Sequence, residues 1–95
     1  MEEKQIIETM MHAIGLWPHG RRRSYRRYGK MFYRPYRNYF DTAPNCNGYW
    51  ILECLEKSGY AIASKEDDGE IWHLTRRGLD WLGMMLNITI YDVEH

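Results

Sequence analysis

One stretch of the chain, Arg21–Phe40, concentrates the side chains best suited to binding an anionic partner. It contains eight basic and seven aromatic residues and no acidic residue. Guanidinium groups pair with phosphate oxygens in a forked geometry, and tyrosine rings stack on exposed bases. The combination favours nucleic acid as the partner. If about five or six of these bases each neutralise a phosphate on duplex DNA, log affinity should fall against log salt with a slope of roughly −5.

The candidate binding residues lie mostly inside this stretch, with two further bases near the C-terminal end. They are Arg21, Arg22, Arg23, Tyr25, Arg26, Arg27, Tyr28, Lys30, Arg34, Arg37, Arg76 and Arg77. Two other interpretations stay open at this point. Arginine stems can cover aromatic rings that belong to the core, which would make the stretch an ordinary solvated face. Arginine and tyrosine are also common at interface hot spots, so an acidic protein surface would fit as well.

Charge is segregated along the chain although the formal net charge is +0. Residues 1–20 carry three acids and one base, residues 21–37 carry eight bases, and residues 38–95 carry ten acids and four bases. A neutral protein can therefore present a strongly positive face, and the local field is what steers a partner.

Few residues are arranged for catalysis or metal binding. The two cysteines, Cys46 and Cys54, are too few for a disulfide scaffold, and their spacing does not match that of structural zinc sites. Asp67, Asp68 and Glu70 are predicted to be solvated acids at a hairpin tip. No nucleophile with a partnered base and no glycine-rich phosphate loop can be identified. We therefore expect a non-enzymatic protein without a metal or cofactor.

The chain shows no apolar run of transmembrane length and no secretory leader pattern. At 95 residues it is expected to form one domain. Together with the low cysteine count, these features predict a soluble protein in a reducing, intracellular setting.

Three helices are predicted from apolar periodicity and capping residues. The first covers residues 3–15 and ends at Gly15, the second covers Tyr49–Ser58, and the third is opened by Thr75. The third helix is expected to direct four residues inward, namely Leu79, Leu82, Met85 and Leu86. Between the second and third helices, a hairpin is predicted from strands Tyr60–Lys65 and Glu70–Leu74 with its turn at Asp67–Gly69. Trp72 and Leu74 should share one face of that hairpin, with Ile71 and His73 on the other.

The basic stretch itself is harder to assign. Its bases recur at helical spacing, but Gly29 and Pro35 interrupt any single long helix. Residues 21–30 are predicted to be a mobile loop or a frayed helix. Pro35 is predicted to begin a short helix that runs to Asp41, with Tyr36, Tyr39 and Phe40 on one face. The segment Asn87–His95 is predicted to be a strand or an extended tail. If Asn87–Val93 is an unpaired strand, it would offer an edge for a homodimer.

The run YWILECLEKSGYAIASKEDDGEIWHLTRRGLDWL, Tyr49–Leu82, resembles the second half of winged helix-turn-helix domains. The matching residues are Leu52, Leu55, Gly59, Leu74, Thr75, Gly78 and Leu82. The resemblance implies an α+β, winged-helix-like domain with three to four helices and a two-stranded wing. Residues 21–34 would be a basic aromatic loop or insertion in it.

The chain as a whole resembles a class of short bacteriophage and prophage proteins of uncharacterised activity. The resemblance rests on HAIGL (His12–Leu16), PYRNYF (Pro35–Phe40) and a later strand that ends in Leu-Thr. It implies the cytoplasm of a bacterial host cell. The expected function is that of a phage-type accessory or regulatory protein that binds nucleic acid. The alternative is a protein-interaction module, such as an anti-defence or anti-CRISPR inhibitor that docks on a host protein, or an assembly adaptor.

In a winged helix that reads DNA, the helix before the wing enters the major groove. Here that helix exposes Glu53 and Glu56 and only one base, Lys57. This composition is unfavourable next to a polyanion. Nucleic acid should therefore bind through residues 21–37, with Arg76 and Arg77 as further candidates, rather than by ordinary groove reading.

Overall fold

Three helices and six short strands make up the part of the chain that the computed structural model describes, residues 2–42, 49–66 and 69–93. The helices are α1 (Glu2–Ile14), α2 (Tyr49–Lys57) and α3 (Arg76–Leu86). The strands are β1 (Tyr25–Arg27), β2 (Lys30–Tyr33), β3 (Phe40–Thr42), β4 (Ala61–Glu66), β5 (Gly69–Leu74) and β6 (Thr89–Ile90). They form two three-stranded sheets, ordered β1-β2-β6 and β3-β5-β4. The predicted α+β class is confirmed.

All three helices end in the same way. A residue in the left-handed region follows each helix: Gly15 (φ 69°), Gly59 (φ 79°) and Asn87 (φ 58°). In α1 the amide of Gly15 donates to the carbonyl of His12 at 3.2 Å, and the amide of Leu16 donates to that of Met11 at 2.9 Å. This pair of hydrogen bonds is the Schellman motif, which uses carbonyls that have no partner inside the helix. Corresponding bonds close α2 and α3, so the predicted ends of the first two helices are confirmed.

The prediction of a loop or frayed helix for residues 21–30 is wrong for residues 25–30, which form a hairpin, whereas residues 21–24 lie outside the helices and strands. Strands β1 and β2 pair antiparallel, and Arg27 faces Lys30 across the turn. The turn residues Tyr28 and Gly29 have φ values of 54° and 75°. Positive φ at both central residues is typical of the two-residue type I′ turn, whose twist matches that of the strands it joins. The helical spacing of the bases in this segment is therefore a coincidence.

Strand β6 completes the first sheet by pairing parallel to β2, with Tyr33 opposite Ile90. Both of these side chains are buried. The predicted C-terminal strand is thus present and already paired along one edge. The edge of β6 that pairs with β2 is therefore not available for the dimerisation predicted for an unpaired Asn87–Val93 strand.

The second sheet contains the predicted hairpin. β4 and β5 pair antiparallel from Ala61 opposite Leu74 to Glu66 opposite Gly69, and residues 67 and 68 of the expected turn lie outside the described part of the chain. Trp72 and Leu74 are buried whereas His73 is exposed. The predicted alternation of faces is confirmed.

The prediction of a helix over Pro35–Asp41 is wrong. Residues 35–39 form no helix, and Phe40 begins β3, which pairs with β5. Asn38 provides the physical reason, because its Nδ2 donates to the carbonyl of Leu74 at 2.9 Å and its Oδ1 accepts from the amide of Leu74 at 2.8 Å. This side chain continues the pairing along β5 and holds the segment extended. Tyr39 is 49% exposed while Phe40 packs against the core, so these rings do not share one buried face.

Helix α3 begins as predicted, with Thr75 Oγ1 accepting from the amide of Gly78 at 3.0 Å. Leu79 and Leu82 are buried as expected, and Leu86 is partly buried. The prediction that Met85 points inward is wrong, since its side chain is 37% exposed. The buried stripe of α3 includes Gly78 and Gly83 instead, which lets the helix lie close to neighbouring backbone.

Tyr33 is a fully buried member of the core. Its hydroxyl donates to the carbonyl of Ile14, the last residue of α1, at 2.7 Å. The other fully buried large side chains are Met10, Ile14, Leu79 and Leu82. Tyr33 therefore connects the first sheet to the end of α1 inside a core that α3 also lines.

The raised pKa values of two tyrosines predict that the protein loses stability at alkaline pH. Burial raises the pKa of Tyr33 to about 12, and the hydrogen bond that Tyr49 donates to Glu70 at 2.8 Å raises the pKa of Tyr49 to about 12. A phenol with a raised pKa in the folded state stabilises the fold fully below its unfolded pKa of about 10. That contribution is lost as the pH rises from about 10 to 12. Denaturant unfolding at pH values of about 9 and 11.5 should show most of the loss, which for Tyr33 corresponds to roughly 2 kcal/mol over this interval.

The control for this prediction is Tyr33→Phe, which has no titratable phenol at this position. Its free energy of unfolding should depend less steeply on pH above about 10. Tyr36 acts in the opposite direction, because a hydrogen bond from Arg21 lowers the pKa of Tyr36. An equal pH dependence in wild type and Tyr33→Phe would contradict the assignment to Tyr33.

Candidate functional site

One face of the sheet β1-β2-β6 brings together rings and cations from distant parts of the chain. Side chains alternate between the two faces of a strand, and Tyr33 and Ile90 point into the core. The side chains of the residues next to them in the chain therefore point away from the core. We call this surface the ladder face. Its members are Tyr25, Arg27, Lys30, Phe32, Arg34, Thr89 and Tyr91.

A row of three rings crosses the ladder face. It runs from Tyr25 on β1 through Phe32 on β2 to Tyr91, which follows β6. The centroids of Tyr25 and Phe32 are 5.9 Å apart with planes at 26°, and those of Phe32 and Tyr91 are 6.1 Å apart with planes at 14°. These values lie in the range of offset stacking, in which each ring covers only part of its neighbour. Tyr25 is 37% exposed, and Phe32 and Tyr91 are partly buried. The rings thus form a shallow aromatic surface at the solvent side of the sheet.

Arg34 holds the two ends of this row in place. Its guanidinium carbon lies 4.7 Å from the ring centroid of Tyr91, and its Nε donates to the hydroxyl of Tyr25 at 3.2 Å. A cation over a ring face and a hydrogen bond to the phenol each restrict the rotamers of the partners. Arg34 therefore restrains Tyr25 and Tyr91 in the absence of a ligand.

The tip of the hairpin places charge where it is costly for stability. Arg27 and Lys30 are directly opposite each other, and like charges in that position destabilise a strand pair. The turn residue Tyr28 has a positive φ and is 87% exposed, and a bulky residue in that conformation is an outlier. The guanidinium carbon of Arg27 lies 5.3 Å from the ring centroid of Tyr28. Local features that oppose stability are concentrated at functional sites.

A second group of bases surrounds one ring beside the ladder face. The guanidinium carbons of Arg21, Arg22 and Arg37 lie 5.9, 5.2 and 5.5 Å from the ring centroid of Tyr36. We call these four residues the Tyr36 cluster. Arg22 Nη1 also donates to the carbonyl of Arg34 at 2.8 Å. The cluster is therefore contiguous with the ladder face, and the two together form a basic track.

The Tyr36 cluster is fixed to the end of α1. The ring of Tyr36 lies against Gly15, where a Cβ would meet it. Arg37 is partly buried, and its Nη2 donates to the carbonyl of His12 at 2.7 Å while its Nε is buried without a partner. Arg37 thus has a large structural share in the cluster, whereas Arg21 and Arg22 are exposed.

The remaining bases of the stretch flank the track. Arg23 lies over Trp17, with its guanidinium carbon 4.1 Å from the ring. Arg26 is on the opposite face of the hairpin from Arg27 and borders an open groove of about 630 Å³ between the hairpin and α3. Met31 and Met84 also line that groove. The groove lies apart from the three rings.

The structure does not bring the two C-terminal candidates into the basic track. Arg76 forms ion pairs with Asp80 at 2.7 Å and Asp92 at 3.2 Å, and its Nη2 donates to the carbonyl of Ile90. These contacts connect α3 to β6 and offset the charge of Arg76. The guanidinium carbon of Arg77 lies 5.9 Å from the ring centroid of Tyr60, a residue of the connection between α2 and β4.

The acids of the second sheet and α2 also have defined places. Glu53 and Glu56 are exposed on α2, as the sequence predicts. The expectation that Glu70 is a solvated acid is wrong, because it is 8% exposed and accepts the hydrogen bond from Tyr49. Asp67 and Asp68 lie outside the described residues.

Sequence reasoning missed Phe32, Tyr36 and Tyr91 as site residues. The pattern that could have found Phe32 is the period of two on either side of Tyr28-Gly29, which places Tyr25 opposite Phe32. Tyr91 offers no comparable pattern, since only the parallel pairing of β6 with β2 carries it to the site.

Among the described residues, no group of three or more His, Cys, Asp or Glu side chains lies where it could hold a metal ion. Cys54 is a free thiol, and Cys46 lies outside the described range. Within that range, none of the helices has the length and apolar character needed to cross a bilayer.

Comparison of the chain with known proteins found no matching family model, no matching curated protein and no matching solved structure.

Proposed function

We propose that the chain binds nucleic acid through the basic track, as a small accessory or regulatory protein of the bacteriophage type. The observation that carries the proposal is the continuity of exposed bases and rings from the hairpin tip to the Tyr36 cluster. Seven bases of residues 21–37 are exposed: Arg21, Arg22, Arg23, Arg26, Arg27, Lys30 and Arg34. Residues 21–40 contain no acid to offset them. A surface of this kind attracts the phosphate backbone electrostatically, and cations condensed on the nucleic acid are released.

The proposal assigns binding to the first sheet and not to α2. In a winged-helix-like arrangement of residues 49–86, α2 would be the helix before the wing, and α2, the β4-β5 hairpin and the Thr75-capped α3 follow in the expected order. The exposed acids Glu53 and Glu56 on α2 would repel phosphates. The basic track supplies the positive surface that α2 lacks.

A protein partner is the second candidate, because arginine and tyrosine side chains also dominate interface hot spots. The specific observation in its favour is that several of the arginines lie over rings, which leaves flat, partly apolar surfaces such as Arg23 on Trp17. An inhibitor of a host protein or an assembly adaptor would use such a surface. Capture of a host protein after nuclease treatment, together with failure to bind nucleic acid, would favour this candidate.

A salt titration tests the proposed function. Binding of labelled duplex and single-stranded DNA should be detectable at about 50 mM salt, and log affinity for the duplex should fall with log salt at a slope of roughly −5. The double variant Arg27→Gln with Lys30→Gln should bind more weakly and reduce the magnitude of that slope by roughly 2. Fluorescence anisotropy at several salt concentrations measures both quantities.

The matched control removes two bases elsewhere. Lys4 and Lys57 are exposed on α1 and α2, and Lys4→Gln with Lys57→Gln changes the net charge by the same amount. This variant should keep the affinity and slope of the wild type. Absence of binding to either form of DNA at about 50 mM salt would falsify the proposal, because electrostatic contacts are strongest at low salt.

A further inference from the structure

We infer that the preferred ligand is single-stranded nucleic acid whose bases stack on the rings of Tyr25, Phe32 and Tyr91. The inference rests on the proposed nucleic-acid binding and specifies its ligand class. In this arrangement the phosphates follow the basic side chains that border the rings. These run from Arg27 and Lys30 at the hairpin tip toward Arg22 and Arg21 in the Tyr36 cluster.

Access to base faces favours the single strand. In a duplex, base faces are covered by the neighbouring base pairs, and only their edges are open in the grooves. Unpaired bases can be spread apart and stacked on aromatic side chains. Rings on the open face of a sheet can reach such bases without distorting a helix.

Ring spacing points in the same direction. The centroids along the row are 5.9 and 6.1 Å apart, whereas successive nucleotides of one strand in duplex DNA rise by about 3.4 Å. One nucleobase on each ring would therefore place neighbouring nucleobases farther apart than they are in a stacked duplex strand. A strand whose bases are pulled apart can place neighbouring bases at the wider spacing of the rings.

The position of Phe32 is also better explained by a ligand than by the core. Tyr33 and Ile90 fill the buried face of the same sheet, so Phe32 places an apolar ring on the side that the core does not use. Its contacts with Tyr25 and Tyr91 cover that ring only in part. A stacked base would remove the remaining apolar surface from water.

Arg34 gives the arrangement its order. It contacts the rings at both ends of the row and its carbonyl accepts from Arg22. A platform whose side chains are already held loses little conformational entropy when a ligand binds. Two basic side chains are placed to contact phosphates: Arg22, which donates to the carbonyl of Arg34, and Arg27, which lies on the same face of β1 as Tyr25.

The test compares an oligothymidylate of about 12 nucleotides with the duplex of the same length, within the site sizes that single domains cover. At about 50 mM salt the single strand should bind at least about tenfold more tightly than the duplex. Tyr25→Leu and Phe32→Leu should each weaken single-strand binding by about 5- to 100-fold. The slope of log affinity against log salt should stay unchanged in both variants, because stacking releases no counterions. An oligouridylate measured in parallel identifies whether DNA or RNA is preferred.

Tyr39→Leu is the matched control, because Tyr39 is 49% exposed and lies outside the row of rings. It should leave single-strand affinity unchanged. Thermal unfolding of each variant checks that the fold is kept, and Tyr25→Leu, at the exposed edge of the sheet, serves if Phe32→Leu is unstable. Equal affinity for duplex and single strand, or full affinity in both ring variants, would overturn the inference but leave the proposed function intact. Failure to bind either form would remove both.

Discussion

Replacement of Tyr33 by alanine is expected to lower the free energy of unfolding by about 3 to 5 kcal/mol. The ring is fully buried, and its hydroxyl donates at 2.7 Å to the carbonyl of Ile14. Alanine would leave a cavity in the core and a buried carbonyl without its donor. Since a domain of this size is stable by only about 5 to 15 kcal/mol, the loss is a large share of the total. Urea denaturation followed by circular dichroism measures it.

Tyr33→Phe separates the two causes. It keeps most of the packing and removes the donor to Ile14, so it should cost about 1 to 2 kcal/mol. Tyr39→Ala is the surface control and should stay within about 0.5 kcal/mol of the wild type. A Tyr33→Ala protein as stable as Tyr39→Ala would show that the core is not built around this ring.

Gly78→Ala is expected to destabilise the protein, although the same change inside an exposed helix stabilises by about 1 kcal/mol. A Cβ at this position would collide with the carbonyl oxygen of Tyr60 and lie 3.0 and 3.1 Å from its C and Cα atoms. These are backbone atoms of the segment leading into β4, so α3 would have to move. The expected loss is about 1 to 3 kcal/mol in urea denaturation.

The comparison for Gly78→Ala lies on the same helix. Met84 is 70% exposed, and Met84→Ala should change the free energy of unfolding by no more than about 0.5 kcal/mol. A Gly78→Ala protein more stable than the wild type would mean that helix propensity outweighs the contact with Tyr60, and that α3 is free to shift.

The elements that could be predicted from the sequence are those whose causes are local. Gly15, Gly59 and Thr75 mark helix ends through hydrogen bonds to residues within one turn. The β4-β5 hairpin follows from alternation around Trp72 and Leu74. In each case the residues that determine the structure are close together in the chain.

The secondary-structure predictions that are wrong concern segments whose structure depends on contacts with residues distant in the chain. Residues 35–41 could have formed a helix, but the pairing of Asn38 with Leu74 keeps them extended. Residues 21–30 carry bases at helical spacing, and their turn is Tyr28-Gly29 rather than the more recognisable Asn-Gly. Pairing of β2 with both β1 and β6 then stabilises the strand conformation.

The candidate site was predictable in composition but not in geometry. The basic and aromatic content of residues 21–37 marks the track, whereas the row of rings needs Tyr91 from the other end of the described chain. Arg76 was a reasonable candidate by charge alone. Its ion pairs with Asp80 and Asp92 depend on the packing of α3 against β6, which no local pattern reveals.

The parallel pairing of β2 with β6 has a consequence for the order of events during protein synthesis. The hairpin that carries Tyr25 and Phe32 leaves the ribosome early, but Tyr91 follows only after α3 has been made. Pairing between segments so far apart in the chain carries a large loop-closure entropy. A truncated chain that stops before residue 89 would retain most of the positive charge and lack the third ring. Under the proposed stacking on three rings, full affinity would require a chain that has been synthesised through β6 and has folded.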